Sequence, residues 1–155
     1  MFREMRRQDR KTGNEEAAAI LAAGEYGILS TVGDNGYAYG VPLSYVYSNG
    51  SIYFHCAPEG HKLDNIKHNN KVSFCVVGAT EVLPESFSTK YESVIVFGKA
   101  SEVYDDEKRE ALMAILKKYS SGFMDKGIEY LKSDSCKTKV IKIEIEHMTG
   151  KSNND

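Results

Sequence analysis

A chain of 155 residues with 41% hydrophobic and 27% charged side chains has the length and composition of one soluble globular domain. Its formal net charge of −2 gives no global field for nucleic acid or an anionic membrane, no apolar run is long enough to span a bilayer, and no signal-peptide core opens the chain. The three cysteines, Cys56, Cys75 and Cys136, are odd in number and never spaced Cys-x-x-Cys, which argues against a disulfide framework or zinc ribbon and fits a reducing cytoplasm.

In chain order, the first feature is a basic cluster, Arg3, Arg6, Arg7 and Arg10, interrupted by Glu4 and Asp9. It reads as a tail or a subunit contact within an N-terminal arm over residues 1–13. Thr12 and Glu15 have capping-box spacing, and Asn14 is a competing N-cap. A helix is therefore expected to begin within a residue or two of Asn14 and to stop near Gly24. Strands follow at 26–32 and 37–47, joined by the turn signal Gly33-Asp34-Asn35-Gly36. Ser48-Asn49-Gly50 turns the chain into a strand over 51–57. A helix starts near Lys62, and Val72, Phe74, Val76 and Val77 mark a buried strand over 71–77. Residues 78–90 read as a loop and 91–104 as a long strand. Asp105-Asp106-Glu107 opens a helix carrying Leu112, Ile115, Leu116 and Tyr119 on one face. A shorter helix is expected around 125–132. In the last strand, 138–147, Ile141, Ile143 and Ile145 alternate with Lys142, Glu144 and Glu146, so one face is buried and one is wet. Residues 149–155 read as a C-terminal tail. Six strands with hairpin connections make the fold mainly β, a closed or nearly closed antiparallel barrel with peripheral helices. Ten tyrosines and six phenylalanines exceed what so small a barrel can bury, and aromatics left on its wall are raw material for an interface.

The chemistry concentrates in Ile52-Tyr53-Phe54-His55-Cys56-Ala57-Pro58-Glu59-Gly60-His61-Lys62-Leu63-Asp64-Asn65-Ile66, a strand, a tight turn and the start of a helix. A helix start offers unpaired N–H groups and a positive dipole end, and Lys62 adds a point charge suited to phosphate. An ordinary strand–turn–helix link with a solvated lysine is the alternative reading. His55, Cys56, His61 and His68 match no common zinc spacing, so no metal site is expected. No Ser-His-Asp ordering or paired-carboxylate motif suggests a hydrolase.

The order Tyr-Phe-His-Cys-Ala-x-x-Gly-x-Lys-x-Asp-x-Ile, followed by Asn69-Asn70-Lys71-Val72-Ser73-Phe74, resembles the flavin-binding core of the pyridoxamine phosphate oxidase-like superfamily. Within it, the chain is most similar to the branch named after nitroimidazole-resistance proteins, the NimA-like group. Tyr26-Gly27-Ile28-Leu29-Ser30-Thr31, Gly40-Val41-Pro42-Leu43-Ser44-Tyr45, Ser93-Val94-Ile95-Val96-Phe97-Gly98-Lys99-Ala100 and Glu146-His147-Met148-Thr149-Gly150-Lys151 extend the resemblance, in order, over nearly the whole chain.

The resemblance implies a six-stranded FMN-binding split β-barrel, normally a homodimer with flavin sites between subunits. On it, Val41, Pro42, Leu43, Ser44 and Tyr45 form the strand along the flavin ring. His55 and Cys56 lie on the next contact strand, His61 and Lys62 hold the phosphate, and Ser93 reaches the flavin from the partner subunit. Pro42 fits a backbone that faces a ligand, and equally an edge strand. His55 either lines the pocket or stabilises charge developing on reduced flavin. Gly40 stands where the oxidases carry an arginine, and their C-terminal Arg-Leu-x-Pro motif is absent, which disfavours a vitamin-phosphate oxidase. The implied activity is transfer of electrons from a transiently docked NAD(P)H, through FMN, to a small acceptor such as a nitroaromatic. A non-enzymatic flavin-binding electron carrier and a haem-binding split-barrel module are the alternatives. There is no Gly-x-Gly-x-x-Gly dinucleotide fingerprint.

Overall fold

One antiparallel sheet, curled on itself, organises the chain. The structure, a computed structural model, describes residues 1–134 and 137–155. Cys136 therefore lies outside the described residues. In order the elements are α1 (Asn14–Ala23), β1 (Gly27–Val32), β2 (Ala38–Leu43), β3 (Val46–Ser48), β4 (Ser51–Cys56), α2 (His61–His68), β5 (Lys71–Val77), β6 (Glu81–Leu83), β7 (Ser88–Val103), α3 (Asp105–Ser120), α4 (Met124–Asp134) and β8 (Lys139–Asn153). The strands run β2-β1-β5-β7-β8-β4-β3, with the short β6 paired to β7. The sheet is thus eight-stranded and does not close, where six strands were expected.

Three differences from the sequence reading account for the extra strands and lengths. The single strand expected over 37–47 is two, because the chain leaves the ladder at Ser44 and Tyr45. The backbone there is satisfied from α3 instead: the Tyr45 N–H donates to the Tyr119 hydroxyl at 3.0 Å, and Lys118 Nζ donates to the Tyr45 carbonyl at 2.9 Å. The expected loop 78–90 contains β6, whose Glu81–Leu83 pair with Lys90–Ser88 of β7. The last strand continues from His147 to Asn153, with Lys151 opposite Ser93 and Asn153 opposite Tyr91. A bulge between Phe97 and Gly98 bends the long β7–β8 ladder, and Gly98 sits so near the Glu144 carbonyl that a side chain there would collide with it.

Burial alternates along the strands and defines two faces. Inside the curl, Leu29, Phe54, Phe74, Val76, Val94, Val96 and Ile143 form the main core, closed at one end by Ala17, Ile20 and Leu21 of α1. The outer face is divided. Over β3, β4 and the ends of β7 and β8, α3 covers Val46, Tyr53, Val103 and Val140 with Ala111, Leu112 and Ile115. The first turn of α3 is pinned by Glu107, which accepts from the Tyr53 hydroxyl at 2.7 Å and pairs with Lys142 at 3.1 Å. Over β2, β1, β5 and the first half of β7 no helix covers the outer face. There Pro42, Ile28, Cys75, Ile95 and Thr149 stand in one cross-strand row.

The N-terminal segment lies against this open face. Phe2 stacks on His147 at 4.9 Å and on Phe97 at 5.4 Å between ring centroids. The expected capping box at Thr12 and Glu15 does not form. Gly13 is the N-cap, and the Thr12 amide is drawn to the Gly150 carbonyl of β8 at 3.0 Å. No helix among the described residues is long and apolar enough to cross a membrane.

Candidate functional site

Helix α2 is held to the barrel by one buried polar contact. Asn65 is 5% exposed, and its Nδ2 donates to Thr31 Oγ1 of β1 at 3.0 Å. A satisfied buried hydrogen bond of this kind contributes about 0.5–1.5 kcal/mol, and losing one partner costs more. That pin, with Leu63 and Ile66 on the core, fixes where the helix begins. Its N-cap is Gly60, at φ 156°, a conformation glycine adopts without steric cost. No side chain caps the helix, so the first amides point outward beside Lys62 and His61. His61 is the first helical residue, and its ring lies against Tyr39 of β2 with centroids 3.9 Å apart. Tyr39 was not singled out from the sequence. Only its place one strand away from His61 reveals it, and no local signal encodes that.

Cys56 ends β4 facing the barrel interior, 9% exposed. Burial pushes its thiol up, against the opposing pull of Lys62 and Lys139. Lys62 therefore stands close enough to β4 for its charge to be felt there. The thiol is protonated at neutral pH and is a packing group, not a nucleophile.

His55 points the opposite way, to the outer face beneath α3. The β3–β4 pairing ends at Val46 opposite Tyr53, and Ser44 lies beyond it. Ser44 and His55 line one cavity of about 380 Å³, closed by Leu112, Ile115, Leu116 and Tyr119 of α3. His55 stays partly open to solvent, and desolvation at the cavity wall lowers its imidazole pKa from the ordinary value.

The strand expected along a flavin ring is β2, an edge strand of the sheet. Pro42 thus occupies a place that tolerates a missing N–H. Val41 and Leu43 turn their side chains to the core, while Pro42 and Gly40 face outward, leaving backbone and small side chains on the open side. Tyr45 departs from its expected role. It is fully buried, its hydroxyl donates to the Leu21 carbonyl, its ring meets Phe74 edge-on at 4.9 Å, and burial raises its pKa. Tyr45 is a core residue.

Two residues of α3 that the sequence reading did not mark as functional hold this corner. Lys118 Nζ donates to the carbonyls of Gly24 at 2.6 Å and Tyr45 at 2.9 Å, and sits 3.9 Å from the Tyr45 ring centroid. The Tyr119 hydroxyl lies 2.6 Å from the Glu25 carbonyl and lines the cavity with Ser44 and His55. Tyr119 read only as part of an apolar helix face, and Lys118 was not singled out.

The predicted residues thus fall into three places. His61, Lys62 and Cys56 gather at the start of α2; Ser44 and His55 share the cavity under α3. Ser93 joins neither: it faces Val77 and Lys151 on the open outer face. Ten positions of β7 separate it from Val103, which lies one strand from the partner of His55, so roughly 30 Å of strand intervene. A single chain does not bring Ser93 to the other residues.

A family model described as pyridoxamine 5'-phosphate oxidase matches residues 13–152. No curated protein matches in sequence. Among solved structures, a candidate 5-nitroimidazole antibiotic resistance protein from Bacteroides thetaiotaomicron is 23% identical, with 97% of this chain and 95% of that one covered at TM-score 0.72. A FAD-binding protein from Mesorhizobium loti is 22% identical, covering 94% and 97% at TM-score 0.70. A flavocytochrome from Azotobacter vinelandii is 18% identical, covering 98% of this chain and 73% of that one at TM-score 0.79. At these identities the likeness is one of fold, the split barrel.

Proposed function

The chain belongs to the pyridoxamine 5'-phosphate oxidase family, and from that premise we propose that it is an FMN-dependent oxidoreductase acting as a homodimer. The observation that carries the reading is the uncapped start of α2, where outward amides, His61 and Lys62 converge in a place suited to a phosphate. These residues fit the group: they supply donors and positive charge, and Gly60 leaves open space for it. In this reading Lys62 and His61 hold the FMN phosphate, and the β2 backbone at Val41, Pro42, Leu43 and Ser44 lies along the ring. His55 and Cys56 flank it from the end of β4. FMN held there would supply two-electron redox chemistry between a nicotinamide donor and a small acceptor.

What the chain's own residues do is bind and orient. Gly40 leaves no cation on the outward side of β2, so a second, substrate phosphate finds no partner there. The acceptor is instead a small, weakly charged molecule, and a nitroaromatic is the first to test, given the fold shared with a candidate nitroimidazole resistance protein.

The dimer rests on the open outer face. Ile95 is 44% exposed in a row with Pro42, Ile28, Cys75 and Thr149, and Val77, 57% exposed, stands two residues from Cys75 on the same face. Monomeric proteins rarely leave such a surface contiguous. A partner seated there would bring its Ser93, which lies on that face, toward the site of the first chain.

Lys62→Ala tests the phosphate assignment. A charged contact of this kind contributes about 1.5–3 kcal/mol, so FMN should bind roughly ten- to a hundredfold more weakly in a fluorescence titration. Unchanged affinity would remove Lys62 from the site.

A further inference from the structure

Helix α4 lies over α3 without filling the space between them. The two approach closely at Gly127, where a side chain would run into Leu116. To one side a cavity of about 630 Å³ is floored by Leu112, Met113, Ile128 and Leu131. To the other side lies the cavity of about 380 Å³ that ends at Ser44 and His55. Leu112 and Leu131 line both, so these two side chains form the wall shared by the two spaces. Each is in the size range of small-molecule sites, which are lined mainly by apolar groups with a few polar ones fixing orientation.

Charge at the outer mouth says what kind of molecule fits. Lys108, Arg109 and Lys132 line it with, among the described side chains, the carboxylate of Asp105. Arg109 pairs with Asp106 at 2.8 Å, but the two side chains are 73% and 87% exposed. Exposed pairs of this kind are weak, so the guanidinium can turn to a ligand. An apolar cavity with a cationic rim is complementary to a molecule with an apolar body and an anionic end.

The geometry points to a binding site beneath α4 for a medium-chain carboxylate, its head between Arg109 and Lys132 and its chain over Leu112, Met113, Ile128 and Leu131. The site is independent of the flavin reading, since none of its lining residues is among those assigned to the flavin.

Calorimetric titration of the full chain with sodium decanoate, below its micellar concentration, tests this. Decanoate should bind saturably at one site per chain. Decanol, of the same length but uncharged, should bind at least about tenfold more weakly, as should propionate, which has the charge without the chain. Arg109→Glu combined with Lys132→Glu changes two surface positions; it should weaken decanoate about tenfold or more and leave decanol unchanged. Leu131→Trp fills the cavity and should abolish binding of both. The inference is overturned by absence of saturable decanoate binding, by equal affinity for decanol, or by charge-reversed protein that binds decanoate like the parent. FMN affinity in the charge-reversed protein should stay at the parent value, so a failure here is separable from a failure of the flavin reading.

Discussion

Replacing His55 with alanine is expected to slow reoxidation of reduced, FMN-loaded protein by about 10²–10⁴-fold, the usual contribution of a positioned donor or general acid. The expectation comes from where the residue sits. His55 is the last but one residue of β4 and lines, with Ser44 and α3, one cavity. Desolvation lowers its pKa, and the neutral ring donates through one N–H. If the protonated ring is the effective donor, the rate should rise as pH falls, with its midpoint below the ordinary histidine value of 6.5. A depressed pKa puts the change on the acid side. The comparison must be made at equal flavin content, because loosening of the pocket alone changes affinity by far less. A rate within a few-fold of the parent and flat with pH would give His55 a purely structural role, lining the pocket.

Ile95→Asp is expected to convert the proposed dimer to monomer and to lower FMN affinity with it. Ile95 lies in the middle of the open row, with Cys75 on one side and Thr149 on the other. A two-fold interface through this row would bury two such carboxylates, one from each chain. Each unpaired buried charge costs several kcal/mol, enough to weaken association by at least about a hundredfold. The single chain should still fold, since position 95 is half exposed without a partner. Sedimentation at micromolar concentration should show a particle near 17.3 kDa in place of one twice that mass. An unchanged dimer would move the interface elsewhere, and a monomer that keeps full FMN affinity would end the shared-site account with Ser93 in it.

Much of the fold is readable locally because the forces that set it are local. Alternation of Ile141, Ile143 and Ile145 with charged neighbours fixes which face of β8 is buried. The Pro58–Gly60 turn places His61 and Lys62 at the first turn of α2, where the structure has them. What the sequence does not show is decided by partners far along the chain. The break between β2 and β3 depends on Tyr119 and Lys118, more than seventy residues away, which take up the backbone of Tyr45. The extension of β8 through Gly150, Lys151 and Ser152 runs over residues with weak strand preference, and it is sealed by Asn153. Asn153 Nδ2 donates to the Thr89 carbonyl at 2.7 Å. Strand β6 carries no signal because it is short and Val82 is exposed on it.

The candidate site divides in the same way. His61 and Lys62 are legible from their own helix start. That Tyr45 is core while its neighbour Ser44 shares a cavity with His55 follows from a corner whose geometry is imposed by α3. Ser93 cannot be placed from one chain at all, since its expected neighbours belong to another.

The central claim is that this barrel recognises a flavin by its phosphate at the start of α2. Titrating flavin-free protein with FMN and, separately, with riboflavin isolates that recognition, because the two differ only in the phosphate. FMN should bind saturably, and riboflavin at least about tenfold more weakly, since it forgoes the charge-assisted contacts to Lys62 and the helix amides. Equal affinity for the two, or no saturable binding of FMN, would contradict the account.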